Sequence, residues 1–324
     1  MGDVTRILLT GATGFVGRAT VAAARRRGIE VTAVIRSPAP AAWAGDAEIE
    51  TVRADLSDPQ SVDILRSAMQ NAQAVIHAAA HLGGDPAAHE RDTLSGTDRV
   101  LAAMNGTETR LVLVSSITVY DTMALKLGDT LTETSPLERA DTARDAYTAA
   151  KLQQEEMVRA SRRPAWLIRP GAVWGPGRTW HALMGFWVSR LFVRIGGEDG
   201  ELPLVHVDHL AEMLVQAALT DPRGVTALNA VDDDRPSRAR FVRAHRRATG
   251  WPRLVLPIGY GFWMAMTAVL SPIARHLPGL FQVPIARARL MPLHYPNTAL
   301  RAALGGADRA DFETVLAQSV GDHR

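Results

Sequence analysis

Thr10-Gly11-Ala12-Thr13-Gly14-Phe15-Val16-Gly17 decides the fold. The stretch follows a short apolar run, Arg6–Thr10, and opens an alanine-rich helical pattern over residues 17–28. Each glycine meets a different physical need. Gly11 makes a tight turn, Gly14 lets the backbone approach a pyrophosphate, and Gly17 lets the helix pack closely on the strand. The start of the helix offers free N–H groups and the positive end of its dipole to phosphate. A glycine pattern alone is a weak signal. Placed between a strand and a helix it reads as a dinucleotide cradle, with Thr13, Phe15 and Val16 in its wall.

Outward from this turn, short apolar runs alternate with helical patterns. Glu30–Ile35, Ala74–His77 and residues 50–53, 111–115 and 165–169 read as strands, being β-branched or leucine-rich and closed by small or polar residues. Residues 17–28, 58–70, 85–105 and 146–162 read as helices, with Asp58 as cap and Pro59 in the first turn of the second. Such alternation predicts an α/β fold, a doubly wound parallel sheet covered on both faces. Glycine, proline and tryptophan then crowd residues 170–187. Residues 204–207 and 227–231 return to strand around a helix at 208–219, and the last ninety residues read mostly as helix, including a solvated one at 237–249. We therefore expect a dinucleotide-binding domain over 1–170, joined by 204–231, and a smaller, mostly helical substrate-binding cap from 171–203 and 232–324.

The end of the second strand selects the nucleotide. An acidic residue there would take the ribose hydroxyls of NAD. The chain has Ile35-Arg36-Ser37 instead. A guanidinium and a hydroxyl can hold a 2′-phosphate, and no carboxylate is expected beside them, so NADP(H) is expected over NAD(H). Asp55 and Leu56, after the third strand, suit an adenine amino group and ring. The small residues Ala78, Ala79 and Ala80 let the backbone pass under the dinucleotide. His77 and His81 stand four apart but straddle a strand end, so no metal site is expected.

Tyr147-Thr148-Ala149-Ala150-Lys151 carries the chemistry. Residues four apart on a helix share a face, so phenol and ammonium can address one ligand. A free tyrosine has a pKa of ~10, and activity near neutrality needs roughly 4 kcal/mol in favour of phenolate. A neighbouring lysine and an oxidised nicotinamide would supply it. Lys151 can also hold the nicotinamide ribose. Ser116, after the fifth strand, reaches the carboxyl edge of the sheet where ligands bind.

With these motifs in order, the chain resembles the extended short-chain dehydrogenase/reductase family, also called the NAD-dependent epimerase/dehydratase family. The matching stretches are the glycine turn, Asp55-Leu56, His77 to Ala80, Ser115 to Tyr120, Tyr147 to Lys151, Arg169 to Gly177 and His206-Val207-Asp208. The resemblance implies a Rossmann sheet, Ser116, Tyr147 and Lys151 as catalytic triad, Pro170 and Val173 facing the nicotinamide, and a homodimer through the helices at 85–105 and 146–162. Two positions depart from the pattern. Thr93-Leu94-Ser95-Gly96-Thr97 stands where Asn-Val-x-Gly-Thr is usual, so the Asn-assisted proton relay is not expected, and Trp174 replaces a usual Tyr, which would put a bulkier wall near the pocket. Ile117-Thr118, not an acidic pair, follows Ser116, against a nucleotide-sugar dehydratase. The Val34-to-Pro38 pattern resembles the dihydroflavonol-reductase and 3β-hydroxysteroid-dehydrogenase branches. The expectation is an NADP(H)-dependent oxidoreductase interconverting a ketone and a secondary alcohol. A nucleotide-sugar epimerase and a non-catalytic NADP(H)-sensing regulator are the alternatives.

The cap supplies Trp180, Phe186, Trp187, Phe192, Trp251, Phe262, Trp263 and Met264. They suit an apolar pocket for a ring-bearing or lipid-like substrate, or else a core. Composition narrows the remaining choices. The 324 residues are 47% hydrophobic and 22% charged with a net charge of +2, which argues for a globular enzyme and against a nucleic-acid partner. The absence of cysteine removes thiolate chemistry and fits the cytoplasm. Between Arg253 and Arg275 no side chain is charged, yet Pro257, Gly259, Gly261, Ser271 and Pro272 interrupt the run. A substrate-covering helix bounded by Pro257 and Pro272, with Phe262, Trp263 and Met266 lining the pocket, is favoured over a membrane-surface contact.

Overall fold

A computed structural model describes residues 5–308 and 310–321, with every side chain among them except that of Arg275. The outer domain limits expected at 1 and 324 lie outside the described residues. Seven strands form one parallel sheet: β1 (Arg6–Thr10), β2 (Glu30–Ile35), β3 (Ile49–Arg53), β4 (Ala74–His77), β5 (Arg110–Val114), β6 (Ala165–Pro170) and β7 (Val225–Ala230). Their order is β7-β6-β5-β4-β1-β2-β3. The order reverses between β1 and β4, so the loops leaving those two strands part and open a crevice at the carboxyl edge.

Alternation along each strand explains the layers. Ile7, Leu9, Ile76 and Ile168 point to one face, where α1 (Phe15–Arg26) and the helix Val207–Leu219 cover them. Leu8, Val75, Leu111, Leu113 and Leu167 point to the other, under the helices Ser61–Ala68, Ser95–Ala103 and Ala146–Ala160. With both faces covered, strands such as Arg110–Val114 read as nearly continuous apolar runs.

Several boundaries differ from the sequence reading. The second helix starts at Ser61, because Asp58 caps a preceding turn by accepting from the Gln60 N–H at 2.9 Å. The helix expected over 85–105 is broken into Pro86–Ala88, a π-helical turn His89–Leu94, and Ser95–Ala103. The cap is mostly helical after residue 232, as expected, and carries a small sheet beside its helices. A hairpin, Gly185–Val188 with Leu191–Ile195, pairs with an edge strand, Leu254–Ile258. Pro257 is tolerated in that strand because an edge leaves one side of the backbone unpaired. Helix Tyr260–Val269 follows it, and Ser271–His276 is 3₁₀. No helix among the described residues is long and apolar enough to cross a membrane.

Candidate active site

The glycine turn is as tight as its spacing requires. Gly11 has φ +69°, and a Cβ there would lie 2.8 Å from the Ala79 nitrogen. A Cβ on Gly17 would overlap the Gly11 carbonyl oxygen and sit 2.7 Å from the Ala12 Cα. The loops after β1 and β4 therefore touch through backbone alone, and the first turn of α1 is left facing the crevice.

That crevice is a cavity of about 1180 Å³. Gly11, Thr13, Gly14, Phe15 and Val16 line it from the first turn, Arg36 and Ser37 from the end of β2, and Asp55 and Leu56 from the end of β3. Ala78, Ala79 and Ala80 line it from β4, Ser116 from β5, Tyr147 and Lys151 from the helix Ala146–Ala160, and Pro170 and Val173 from β6 and beyond. All the candidate cofactor-binding and catalytic residues of the sequence thus line one cavity. The cradle fits a dinucleotide on three counts: the side-chain-free glycine turn, the open helix start, and a long cavity with a basic group at one end. Arg178 adds a guanidinium stacked 4.7 Å from the Phe15 ring centre.

At the basic end, the Arg36 side chain is 66% exposed and its Nη1 lies 3.9 Å from Asp92. The expectation that no carboxylate stands there is therefore wrong. Asp92 comes from the π-helical turn, far from β2 in sequence, and Arg91 binds it through two contacts at 2.8 and 2.9 Å. That hydrogen bonding holds the Asp92 carboxyl below its ordinary range. Asp55 also feels Arg36 and Arg91, so two guanidiniums face two carboxylates in this corner. Asp55 accepts from both the Ser57 N–H and hydroxyl, which lowers its pKa and leaves its second oxygen free for a ligand.

At the other end, burial pushes the Tyr147 phenol up, opposed by a hydrogen bond with the Ser116 side chain. Asp145 accepts from the Thr148 N–H at 2.8 Å and so fixes the start of this helix. The Lys151 ammonium lies 5.9 Å from the Tyr147 ring centre, donates to the Val114 carbonyl (2.8 Å) and to Gln154 (2.9 Å), and is pulled by burial down to about 8.

Gln154 opens a buried polar chain that the sequence reading missed. Its amide donates to the Thr97 hydroxyl at 2.7 Å, and that hydroxyl donates to the Thr93 carbonyl at 2.7 Å. The Thr97 proton is thus engaged, so His77 Nε2, 3.0 Å away, must donate to Thr97. His77 Nδ1 then accepts from the Thr10 hydroxyl at 2.7 Å. Burial holds His77 neutral, with its pKa down to about 3. Beneath the chain, Glu155 receives two bonds from Arg169 at 2.8 and 2.7 Å and one from Ser115 at 2.6 Å. This ion pair ties the Tyr147 helix to β6.

His89 was also missed. It is buried, donates through Nε2 to the Gly83 carbonyl at 2.8 Å, and places its ring 6.0 Å from that of Tyr147 and 4.9 Å from that of His81. Thr93, at the position of the usual Asn, has its hydroxyl occupied by the His81 N–H at 2.9 Å.

The cap aromatics are not where a pocket would need them. Trp180, Trp187, Phe192 and Trp251 pack on one another with Phe241, away from the cavity. Trp263 is buried and donates to the Leu280 carbonyl at 3.1 Å, Phe186 packs on it, and Phe262 is exposed. Neither Met264 nor Met266 lines the cavity. Trp174 is buried against His206 and Phe312 and forms no part of the wall. The cap side of the cavity is formed instead by Ile285, Ala288 and Arg289, on the helix Val283–Leu290, together with His181, Ala182, Leu183 and Tyr295.

Sheet, switch point and cradle together define a dinucleotide-binding enzyme fold. The model of the NAD dependent epimerase/dehydratase family matches residues 7–229, and the chain belongs to that family. It is 27% identical to a ceramide reductase of Caulobacter vibrioides over 77% of this chain and 72% of that protein. It is 28% identical to a 4-hydroxy-2-methyl-3-oxo-4-farnesyl-3,4-dihydroquinoline-1-oxide ketoreductase of Stigmatella aurantiaca over 68% and 66%. Among solved structures, MoeE5 in complex with UDP-glucose and NAD shares the fold with a TM-score of 0.71 at 21% identity, covering 99% of this chain and 98% of that one.

Proposed function

We propose that this enzyme is an NADP(H)-dependent oxidoreductase that interconverts a ketone and a secondary alcohol on an apolar substrate. The observation that carries the reading is the convergence of Ser116, Tyr147 and Lys151 on the same cavity as the glycine turn and Arg36. The reductase relatives support it, and two of their names, ceramide and farnesyl-quinoline, describe substrates with long apolar parts.

A nicotinamide held by the glycine turn, Lys151 and Pro170 would supply the hydride for the carbonyl carbon. Tyr147, kept protonated by burial, gives its proton to the oxygen as negative charge develops there. Ser116 donates a hydrogen bond to the same oxygen and holds it in line. Lys151, charged below about 8, stabilises the phenolate left behind and offers a donor to the ribose. Arg36 and Ser37 take the 2′-phosphate, with Arg91 offsetting the charge of Asp92. Asp55 and Leu56 take the adenine.

The test is NADPH consumption, followed by absorbance, with a panel of aryl ketones and long-chain 3-oxo compounds. Stoichiometric alcohol formation supports the reading. Sugar-nucleotide epimerisation without net NADPH consumption would assign the site to epimerase chemistry. Tight NADPH binding with no turnover on any panel member would favour the sensing role.

A further inference from the structure

One surface of the cap is apolar, uncharged and unconnected with the cavity. In the three-stranded cap sheet, Val188 pairs with Leu191 and Leu191 with Leu254, so these three side chains form one cross-strand row. Two residues along, Phe186, Val193 and Leu256 form the next row on the same face. Helix Tyr260–Val269 covers the Phe186 end of that second row through Trp263, whose ring centre is 5.2 Å from that of Phe186, and leaves Leu256 46% exposed. Nothing covers the first row: Val188 is 52% exposed and Leu254 59%. The outward stripe of the helix is Gly261, Phe262, Ala265, Ala268 and Val269, all exposed, with Phe262 at 68% and Val269 at 79%. These positions recur at three- and four-residue intervals, which is one helix face. A solvated helix would carry charge there. Here no residue from Leu254 to Ala274 is charged.

The surroundings are basic. From Arg235 to Ala307 the sequence has eleven arginines and neither Asp nor Glu. Of these, Arg235, Arg240, Arg243 and Arg301 pair with acidic residues from outside that span, and Arg238 is buried. Exposed Arg190 and Arg253 flank the uncovered row in sequence, and Arg246 and Arg247 close the helix that leads into Trp251. Among the described residues none of these four has a carboxylate partner.

We infer that this face seats on the surface of an anionic lipid bilayer, with Phe262, Val269 and the Val188–Leu254 row in the acyl boundary and Arg190, Arg246, Arg247 and Arg253 against the headgroups. A second copy of the chain is disfavoured as occupant, because an isologous contact would bring like-charged rims together. The bound substrate is excluded, because none of these apolar residues lines the cavity. The cavity is nevertheless close. Helix Val283–Leu290, which carries Ile285 and Arg289, packs against helix Tyr260–Val269. Seating on a bilayer would therefore bring helix Val283–Leu290, which forms part of the cavity wall, near lipid. This inference stands on the surface alone and does not require the ketone reductase reading.

The test is flotation of the full-length chain with vesicles of phosphatidylcholine alone and of phosphatidylcholine mixed with phosphatidylglycerol. The wild-type chain should float with the mixed vesicles and weakly or not at all with the neutral ones. Phe262→Asp with Val269→Asp should lower partitioning by roughly tenfold or more, and removal of Arg246 and Arg247 by roughly fivefold each. All these positions are exposed, and the circular-dichroism spectrum and thermal melt of each variant check that the fold persists. Failure to float with anionic vesicles would overturn the inference, and so would unchanged flotation of either variant pair. A concentration-dependent dimer that Phe262→Asp dissolves would overturn it in favour of self-association.

Discussion

Glu155→Ala tests what fixes the Tyr147 helix to the sheet. Glu155 is fully buried and Arg169 is 1% exposed. The carboxylate accepts two bonds from Arg169, one from Ser115, and one from Arg159 at 2.8 Å. Burial, the largest single influence, would raise its pKa, but Arg169, Ser115 and Arg159 together hold it below the usual carboxylate range. Truncation leaves the Arg169 guanidinium buried with only the Tyr120 hydroxyl, 2.8 Å from Nη1, as side-chain partner. Removing one member of a buried pair costs ~3–5 kcal/mol, a large share of the roughly 5–15 kcal/mol that stabilises a folded domain. Thermal unfolding should shift down by roughly 6–15 °C, at about 2–3 °C per kcal/mol for a chain of this size. Urea unfolding followed by circular dichroism at neutral pH measures the loss. Glu155→Gln, which keeps one acceptor, should cost less. A Glu155→Ala protein within about 1 kcal/mol of wild type would refute the claim that this pair anchors the helix.

Arg36→Ala should weaken NADPH by roughly ten- to a hundredfold, the value of a charge-assisted contact, and hardly alter NADH; fluorescence titration of both cofactors decides it, and wild-type protein that prefers NADH contradicts the assignment. His77 should govern part of the acid limb of stability. Its folded pKa of about 3 lies below the ordinary 6.5, so the stability linked to its neutral form is complete above 6.5 and is lost as pH falls toward 3, by up to about 5 kcal/mol. His77→Asn should flatten that limb in urea unfolding measured across this range, and an unchanged slope would contradict the buried neutral histidine. Gly17→Ala forces a methyl into the Gly11 carbonyl and should cost about 1–3 kcal/mol together with cofactor affinity. Gly261→Ala, with open space around it, should not destabilise, and thermal melts of the two variants make the comparison.

The parts of this molecule legible in the sequence are those whose signal is local. The glycine turn occupies eight consecutive residues between a strand and a helix, and the Tyr147–Lys151 spacing lies within one helix. The central sheet strands announce themselves because both faces are buried and the runs are apolar, whereas the edge strand Ile49–Arg53 is half-buried to exposed throughout. What escaped is what the tertiary crossing creates. Asp92 reaches Arg36 across 56 positions of sequence, and Gln154 reaches Thr97 across 57. His89 meets Tyr147 only because a π-helical turn interrupts a pattern that reads as one helix. The cap aromatics misled for a different reason. Composition supplies the rings but not their direction, and the short cap hairpin that turns Trp187 toward Trp251 has too few residues to show a period.

The central claim is that Tyr147 transfers the proton in a carbonyl reduction at this cavity. The direct measurement compares wild type and Tyr147→Phe on the best ketone of the panel, with kcat from NADPH consumption and NADPH affinity from titration of the same samples. The account predicts that kcat falls by about two to four orders of magnitude, the range of a general acid. NADPH affinity should stay near the wild-type value, because on the proposed reading Lys151, Arg36 and the glycine turn, not the Tyr147 hydroxyl, would hold the cofactor. Turnover near the wild-type rate in Tyr147→Phe, with NADPH bound normally, would contradict it.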